Sequence, residues 1–201
     1  MKKLMFFILI VILISLTVLI YQKRFGKLGP TLTNISRTPS QNATIKPERI
    51  TTVANNLEVP WALAFLRSGD LLVTERPGRV RLITNQGLLP DPLLTLDVVK
   101  KAQGEGGLHG LTVHPDFENN NFVYIYYTYE NQGSKSLNRV SRYVLAERKL
   151  SNEKIIVDGI PGALFHDGGR IKFGPDGFLY ITTGDALEPS LAQNTNSLAG
   201  K

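Results

Sequence analysis

The sequence predicts an all-β fold, a partial β-propeller of about three blades, preceded by an N-terminal transmembrane helix. From Ile50 onward, short runs rich in β-branched and aromatic residues alternate with turns that contain glycine, proline and aspartate. The same strand–turn–strand pattern recurs, and its equivalent positions Phe65, Val113 and Phe173 lie 48 and 60 residues apart. A period near 50 residues made only of strands is typical of propeller blades, which have about four strands each.

The first 25 residues are predicted to form a signal-anchor or transmembrane segment. Residues 4–21 are apolar except for Ser15 and Thr17. A helix of this length spans about 27 Å, close to the hydrocarbon thickness of a bilayer. No small-residue cleavage site follows, so an uncleaved anchor is favoured over a cleaved signal peptide. The expected location is membrane-anchored and extracytoplasmic, periplasmic or at the cell surface, or secreted if the segment is cleaved.

Two further regions follow the anchor. Residues 26–48 are predicted to be a flexible tether, because they are rich in Ser, Thr, Asn and Pro and have no apolar periodicity. Residues 49–201 are predicted to contain the blades, too few to close a ring, so we expect a longer protein of which this chain is the first part. A small β-sandwich is the alternative fold. The predicted strands are residues 62–66, 71–75, 80–84, 108–113, 123–128, 140–145, 155–157, 171–173 and 178–183.

Charge and cysteine content exclude several function classes. The net charge is +6, but five cationic residues flank the apolar segment and the rest of the chain is close to neutral. This distribution argues against a nucleic-acid partner. The chain has no cysteine, which excludes disulfides, thiolate metal sites and cysteine nucleophiles. Redox chemistry would therefore need a bound cofactor.

The three histidines have different surroundings. His114 lies in a repeated turn, and His109 is flanked by glycines, so structural roles are favoured for both. His166 lies on a glycine-rich loop before a predicted strand, and Asp185 ends the strand that pairs back. The two side chains are expected to meet as a base and its orienting carboxylate. A surface histidine beside a turn aspartate is an equal alternative on spacing alone.

Four ordered motifs resemble the glucose/sorbosone dehydrogenase family, soluble quinoproteins that use pyrroloquinoline quinone. The principal motif is H-x-G-G-R-I-x-F-G-P-D-G-x-L-Y-I-T-x-G-D at residues 166–185. The others are V-P-W-A-L-A-F at 59–65, T-E-R-P-G-R-V at 74–80, and G-E-G-G-L at 104–108 followed by H-P-D-F at 114–117. N-S-L-A-G-K at 196–201 is also similar, so the resemblance covers nearly all of residues 55–201.

The resemblance implies a six-bladed propeller that oxidises an aldose at C1 to the lactone, with hydride transfer to the quinone. The histidine at the position of His166 would remove the proton from the C1 hydroxyl, and Asp185 would hold that histidine. Glu105, Arg170 and Gln193 fall at implied cofactor-contacting positions, although some family members have Gln where Glu105 stands. The implied Ca²⁺ ligands lie mostly beyond Lys201, and no metal ligand is assigned within this chain. The electron acceptor is left open.

Two other functions are compatible with the same scaffold. One is a non-catalytic propeller of the same ancestry that binds a sugar or a protein partner. The other is a metal-dependent propeller lactonase, which would need acidic metal ligands facing the axis in place of His166.

The N-terminal segment gives a first testable prediction. The full-length protein should remain with the membrane fraction through high salt and alkaline washing, and should be released by detergent. A variant that lacks residues 1–25 provides the control and should be recovered without detergent. A mature protein whose N-terminal sequence begins near Gly29 would contradict the anchor, because the segment would then have been removed.

Overall fold

The computed structural model describes residues 50–99, 104–133 and 135–201, and within them the chain forms eleven strands and one short α-helix. The predicted anchor and tether lie outside the described residues. No helix within the described ranges reaches the length and apolarity needed to cross a bilayer. The elements are β1 Pro60–Phe65, β2 Leu71–Glu75, β3 Arg79–Thr84, β4 Gly87–Leu88, β5 Leu94–Thr95, β6 Leu108–Val113, α1 Phe117–Asn120, β7 Phe122–Glu130, β8 Ser136–Ala146, β9 Lys149–Pro161, β10 Gly168–Phe173 and β11 Leu179–Thr183.

The strands form three antiparallel sheets in sequence order, which confirms the predicted all-β class and is consistent with a propeller-like arrangement. The first sheet has the order β1–β2–β3–β4, with β5 also paired to β3. The second has the order β6–β7–β8–β9, and the third contains β10 and β11. Each sheet therefore begins with an antiparallel hairpin, β1–β2, β6–β7 or β10–β11.

The turns of these three hairpins share one hydrogen-bond pattern, which reproduces the repeat seen in the sequence. In each turn, the residue after the first strand donates its N–H to a carbonyl near the start of the returning strand, and its own carbonyl accepts a second N–H. The donor–acceptor pairs are Leu66–Asp70 and Gly69–Leu66, His114–Phe122 and Phe117–His114, and Gly174–Phe178 and Gly177–Gly174. Gly69 and Gly177 have φ of +90° and +80°, a conformation that glycine adopts without steric cost.

The turn of the second hairpin contains the helix α1 and shows what His114 does. The Nδ1 atom of His114 accepts the backbone N–H of Asp116 at 3.0 Å and lies 2.8 Å from the side-chain amide nitrogen of Asn120. The predicted turn role of His114 therefore agrees with its contacts. The helix was not predicted, because four residues are too few to show a helical period.

Neighbouring sheets bury their faces against each other. One apolar cluster joins the first and second sheets and another joins the second and third. The approach of β6 to β10 requires glycine, because a Cβ on Gly110 would lie 2.1 Å from the carbonyl oxygen of Gly169. Each fully buried Leu, Ile or Val contributes about 1.5–3 kcal/mol. The residues buried at these contacts include Leu72, Val80, Leu108, Val123 and Ile125 in the first cluster, and Tyr126, Val140, Ile160 and Ile171 in the second.

The outer strands of the second sheet are longer than predicted. The predictions covered residues 140–145 and 155–157, whereas β8 has 11 residues and β9 has 13. Most side chains of β9 are exposed and many are polar, so the strand has little apolar signal. Its pairing with β8 supplies the backbone hydrogen bonds that hold it. The two-residue strands β4 and β5 also escaped prediction.

A buried carboxylate closes the end of the first hairpin. Glu75 is fully buried and pairs with Arg79 at 2.6 Å and Arg81 at 3.2 Å, while the backbone N–H of Glu58 donates to its Oε1 at 2.6 Å. Burial raises the pKa of Glu75, but the hydrogen bonds from Arg79, the Glu58 N–H and Arg81 outweigh it, so the pKa lies below its ordinary value of 4.5. At neutral pH Glu75 is therefore ionised.

Replacing this carboxylate should cost stability in a pH-dependent way. Glu75→Gln should lower the free energy of unfolding by about 2–3 kcal/mol at pH 7, less than for a fully buried pair because Arg79 is partly exposed. The pKa of Glu75 is lower in the folded protein than in the unfolded chain. The stabilisation that the ionised carboxylate provides is therefore fully present above the unfolded-state pKa, and it is lost as the pH falls through the folded-state pKa. Urea unfolding of the full-length protein should therefore show a difference that shrinks between about pH 5 and pH 2.

The exposed residue Glu147 provides the matched control, and Glu147→Gln should leave the free energy of unfolding within about 0.5 kcal/mol of the wild type. A Glu75→Gln deficit that is constant from pH 7 to pH 2 would contradict the role given to the ionised carboxylate.

Candidate active site

His166 and Asp185 meet at the open end of the β10–β11 hairpin. His166 precedes β10 and Asp185 follows β11, and the pairing of Gly168 with Thr183 brings the two strand ends together. The Nδ1 atom of His166 lies 2.8 Å from Oδ1 of Asp185. Of the two alternatives that the spacing left equal, the structure thus shows the contact, between residues 19 apart in sequence.

Two glycines of the principal motif permit this contact. A Cβ on Gly184 would lie 1.6 Å from the carbonyl oxygen of His166, and a Cβ on Gly168 would lie 2.6 Å from the backbone nitrogen of Gly184. The loops before β10 and after β11 thus touch backbone to backbone, and any side chain at either position would separate them.

The hydrogen bonds of Asp185 define the state of the imidazole. Its Oδ1 accepts the backbone N–H of Leu187 at 3.1 Å as well as a hydrogen bond from His166. An ionised carboxylate can only accept, so Nδ1 of His166 carries the proton of this hydrogen bond, and in the neutral ring Nε2 then has the free lone pair. The His166 side chain is 55% exposed, against 23% for Asp185. The imidazole of His166 is therefore exposed, and the carboxylate of Asp185 fixes its orientation, so the neutral ring could act as a proton acceptor.

The backbone of His166 is fixed on both sides of its Cα. Its N–H donates to Oε2 of Glu105 at 2.8 Å, and its carbonyl accepts the N–H of Ala186 at 3.2 Å. His166 has φ of +65°, a left-handed conformation that is uncommon for residues other than glycine. The carboxylate of Glu105, expected at a cofactor-contacting position, is here bound to the backbone of the candidate base.

A buried polar chain supports the same loop from the core, and sequence reasoning missed it. Asp167 is 1% exposed, and its Oδ1 accepts Nδ2 of Asn138 at 3.1 Å and the backbone N–H of Ala163 at 3.0 Å. The Thr128 hydroxyl donates to Oδ1 of Asn138 at 2.7 Å, and the Tyr126 hydroxyl donates to the carbonyl of Asp167 at 2.8 Å. The available signal was the single Asn within the apolar pattern of β8.

Arg170 projects from β10 onto an aromatic stack. Its guanidinium carbon lies 4.2 Å from the ring centroid of Trp61 in β1. Trp61 stacks on His109 at 5.1 Å, and His109 stacks on Tyr126 at 6.0 Å. Arg170 is exposed, and no acidic side chain in the described part of the chain lies within ion-pair distance of it. The positive charge of Arg170 therefore lies at the surface, against the stacked rings of Trp61, His109 and Tyr126.

His109 has the packing role expected for it. It is 2% exposed, and its Nε2–H donates to the backbone carbonyl of Glu105 at 2.8 Å. Burial lowers the pKa of His109 below its ordinary value, which keeps the ring neutral within its stack. His109 thus connects the aromatic column to the loop that carries Glu105.

Gln193 lies apart from the hydrogen-bonded group around His166. It ends the 3₁₀ helix Pro189–Gln193 and is exposed, and within the described residues no hydrogen bond joins its side chain to His166, Asp185 or Glu105. The Nζ atom of Lys201 donates to the carbonyls of Leu191 and Ala192 and so holds this helix in place. No group of three or more His, Cys, Asp or Glu in the described ranges is arranged to hold a metal ion.

Comparisons with known proteins show the family of the chain. The family model for glucose/sorbosone dehydrogenases matches residues 57–201. The quinoprotein glucose dehydrogenase B of Acinetobacter calcoaceticus is 32% identical over 170 residues, which are 79% of this chain and 36% of that protein. The aldose sugar dehydrogenase of Streptomyces coelicolor, solved in its PQQ-bound form, is 35% identical with a TM-score of 0.68, over 76% of this chain and 46% of that one.

A relative that is not named as a dehydrogenase also matches. The human Hedgehog-interacting protein is 31% identical over 157 residues, which are 67% of this chain and 22% of that protein. The chain thus spans less than half the length of each of these relatives. The match of the family model to most of the chain confirms the resemblance seen in the motifs, and the chain belongs to the glucose/sorbosone dehydrogenase family.

Proposed function

We propose that the full-length protein is a quinone-dependent sugar dehydrogenase that oxidises an aldose at C1 to the lactone. The observation that carries this proposal is the His166–Asp185 pair, in which Nδ1 donates to the carboxylate and the His166 side chain is 55% exposed. The family supports an oxidoreductase acting on sugars in general. Oxidation of a hydroxyl at C1 requires loss of its proton together with the hydrogen on carbon, and an oriented imidazole supplies the acceptor for that proton.

The side chains of this chain carry out the proton half of the reaction. Nε2 of His166 accepts the proton of the C1 hydroxyl, so that the carbonyl of the lactone forms as the C1–H bond breaks. The carboxylate of Asp185 keeps Nδ1–H directed away from the substrate and stabilises the imidazolium that results. Pyrroloquinoline quinone, when bound, supplies the two-electron acceptor for the hydride.

The charges around His166 fit an anionic tricarboxylate such as this quinone. Arg170 offers an exposed guanidinium held on Trp61. The nearby carboxylates of Glu105 and Asp185 are both engaged by N–H groups, which reduces their repulsion of an anion. We propose that Arg170 contacts the quinone, with Gln193 as a second contact, and that Ca²⁺ is bound by residues outside those described.

We also propose that residues 50–201 supply about three blades of a six-bladed propeller. The two-stranded third sheet leaves Phe178 and Tyr180 70% and 58% exposed, and these are side chains that a further blade would cover. The apolar segment at residues 4–21 would hold the protein at the outer face of a membrane, with an aldose as its small-molecule substrate.

A second candidate function is favoured by one specific relative. The match to the human Hedgehog-interacting protein is compatible with a propeller that binds a partner without catalysis. Such a module has no need of an oriented base, so the His166–Asp185 geometry favours the dehydrogenase.

Replacing the candidate base tests the proposed function directly. In the full-length protein loaded with pyrroloquinoline quinone and Ca²⁺, His166→Ala should lower kcat for glucose or another aldose by about 10²–10⁴-fold, with quinone binding largely kept. Asp185→Asn should lose a substantial part of the same factor, and the double variant should be far from additive because the two residues act as one unit. The assay is reduction of a dye acceptor.

His114→Asn is the control, since His114 contacts Phe173 at the other end of β10 and should leave kcat within about threefold. Full activity of His166→Ala would show that another group is the base. If the wild type loaded with quinone and Ca²⁺ oxidises no aldose, the dehydrogenase proposal is wrong. Lactone hydrolysis without quinone would favour the lactonase instead.

The cofactor contact of Arg170 has its own test. Arg170→Met should weaken quinone binding by about 10–100-fold, the worth of one charge-assisted hydrogen bond, while kcat at saturating quinone changes little. The binding is measured by titration of the apoprotein with quinone. Lys172→Met removes a cation two residues further along β10 and is the matched control. Equal effects of the two variants would mean that only overall charge matters.

A further inference from the structure

We infer that Glu105 is a positioning residue for His166, and that its carboxylate acts by fixing the backbone of the base. This inference rests on the proposed function, because it takes His166 as the proton acceptor. It assigns the side chain of Glu105 a role distinct from contact with the quinone.

Three hydrogen bonds place Glu105 between the second sheet and the loop of the base. Its carboxylate accepts the N–H of His166 at 2.8 Å, and its own N–H donates to the carbonyl of Leu164 at 2.8 Å. Its carbonyl accepts Nε2–H of the buried His109, also at 2.8 Å. The side chain and the N–H of Glu105 thus join two loops that lie 61 residues apart in sequence, and its carbonyl attaches it to His109 of β6.

The loop that carries Glu105 is itself closely packed against neighbouring backbone. A Cβ on Gly107 would lie 2.4 Å from the carbonyl oxygen of Arg76, and one on Gly106 would lie 3.2 Å from that of Val99. The guanidinium of Arg76 donates to the carbonyl of Gly104 at 2.7 Å. Because this loop is packed against backbone on several sides, the carboxylate of Glu105 is a fixed point to which the neighbouring loop is attached.

His166 needs such a fixed point because of its conformation. A φ of +65° is unfavourable for a residue with a side chain and persists only where several contacts impose it. The contact with Asp185 holds the ring and the contact with Ala186 holds the carbonyl, but the Glu105 carboxylate is the acceptor for the N–H. Without the Glu105 carboxylate, φ of His166 could relax to a negative value. The Cα–Cβ bond would then point in another direction, and Nε2 would move away from its present position.

The charge of the carboxylate argues against a direct contact with the quinone. An anion facing a tricarboxylate would need a cation or a proton to offset the repulsion. The N–H of His166 already provides a donor to the carboxylate. A role through His166 therefore gives this acidic residue a function that needs no contact with the anionic cofactor.

The experiment compares Glu105→Ala with Glu105→Gln in the full-length protein loaded with quinone and Ca²⁺. Glu105→Ala should lower kcat by about 10–100-fold, while KM for the aldose and the Kd for quinone stay within about threefold. Glu105→Gln keeps an oxygen that accepts the His166 N–H, so it should restore kcat to within about threefold of the wild type. In a His166→Ala background, Glu105→Ala should have no further effect on the residual rate.

Each other result overturns the inference. An unchanged kcat for Glu105→Ala means that the carboxylate does not position the base. A Kd for quinone raised more than tenfold, with normal kcat at saturation, means a direct cofactor contact. A further loss of rate in the His166→Ala background means that Glu105 acts independently. If Glu105→Ala does not fold, Glu105→Met preserves the volume without the acceptor and carries the same expectations.

Amide hydrogen exchange separates this inference from the proposed function. A peptide covering residues 164–168 should exchange at least tenfold faster in Glu105→Ala than in the wild type, and Glu105→Gln should restore slow exchange. If the wild type oxidises no aldose but this pattern is seen, the proposed function fails and the positioning contact stands. If exchange is the same in all three proteins, the contact does not hold the loop.

Discussion

The close approach of neighbouring sheets is the constraint on which the rest of this structure depends. In the part of the chain that the structure describes, both apolar clusters are shared between neighbouring sheets, so each sheet covers an apolar face of the next. The innermost strands meet at backbone distance, and Gly110 against Gly169 shows that a methyl group would already be too large. Once the strands are this close, the loops at their ends are also brought together.

The candidate site follows from that convergence. Glu105 precedes β6, His166 precedes β10 and Asp185 follows β11, so three loops from two neighbouring sheets supply the group around one imidazole. Trp61 of the first sheet supports Arg170 of the third across the intervening strand β6. The residues are distant in sequence, and their proximity is a consequence of how the sheets pack.

The buried polar groups give this packing a single register. Asp167, Asn138 and Thr128 form a chain that can be satisfied only if β7, β8 and the loop before β10 keep their relative positions. A buried group without its partner costs about 1–3 kcal/mol, so a shifted arrangement would be penalised at several points together. Apolar contacts alone would tolerate such a shift more easily.

The sequence was sufficient for features that are local or repeated. The strand–turn–strand pattern predicted the three hairpins, and the 19-residue separation made a contact of His166 with Asp185 one of two equal alternatives, of which the structure shows the contact. Other features have no local signal. The polar edge strand β9 is defined by its pairing with β8, and the Glu105–His166 contact joins loops that precede strands of two different sheets. Such contacts become visible only when the packing of the sheets is known.

The two ends of the repeated hairpins show why the site lies where it does. At the turn end, all three copies keep the same hydrogen bonds. At the open end they diverge, because Glu75 holds the N–H of Glu58 in the first copy, whereas the equivalent of Glu75 in the third copy is Thr183.

Thr183 has no carboxylate and donates its hydroxyl to the carbonyl of Leu198, so the N–H of His166, the equivalent of Glu58, is not bound by the residue equivalent to Glu75. It is held by Glu105 of the neighbouring loop. The turn end is thus constrained by folding in every copy, while the open end is free to exchange partners between copies. The contact that the first hairpin makes within itself is thus made between sheets in the third, beside the exposed imidazole of His166 and its Asp185 partner.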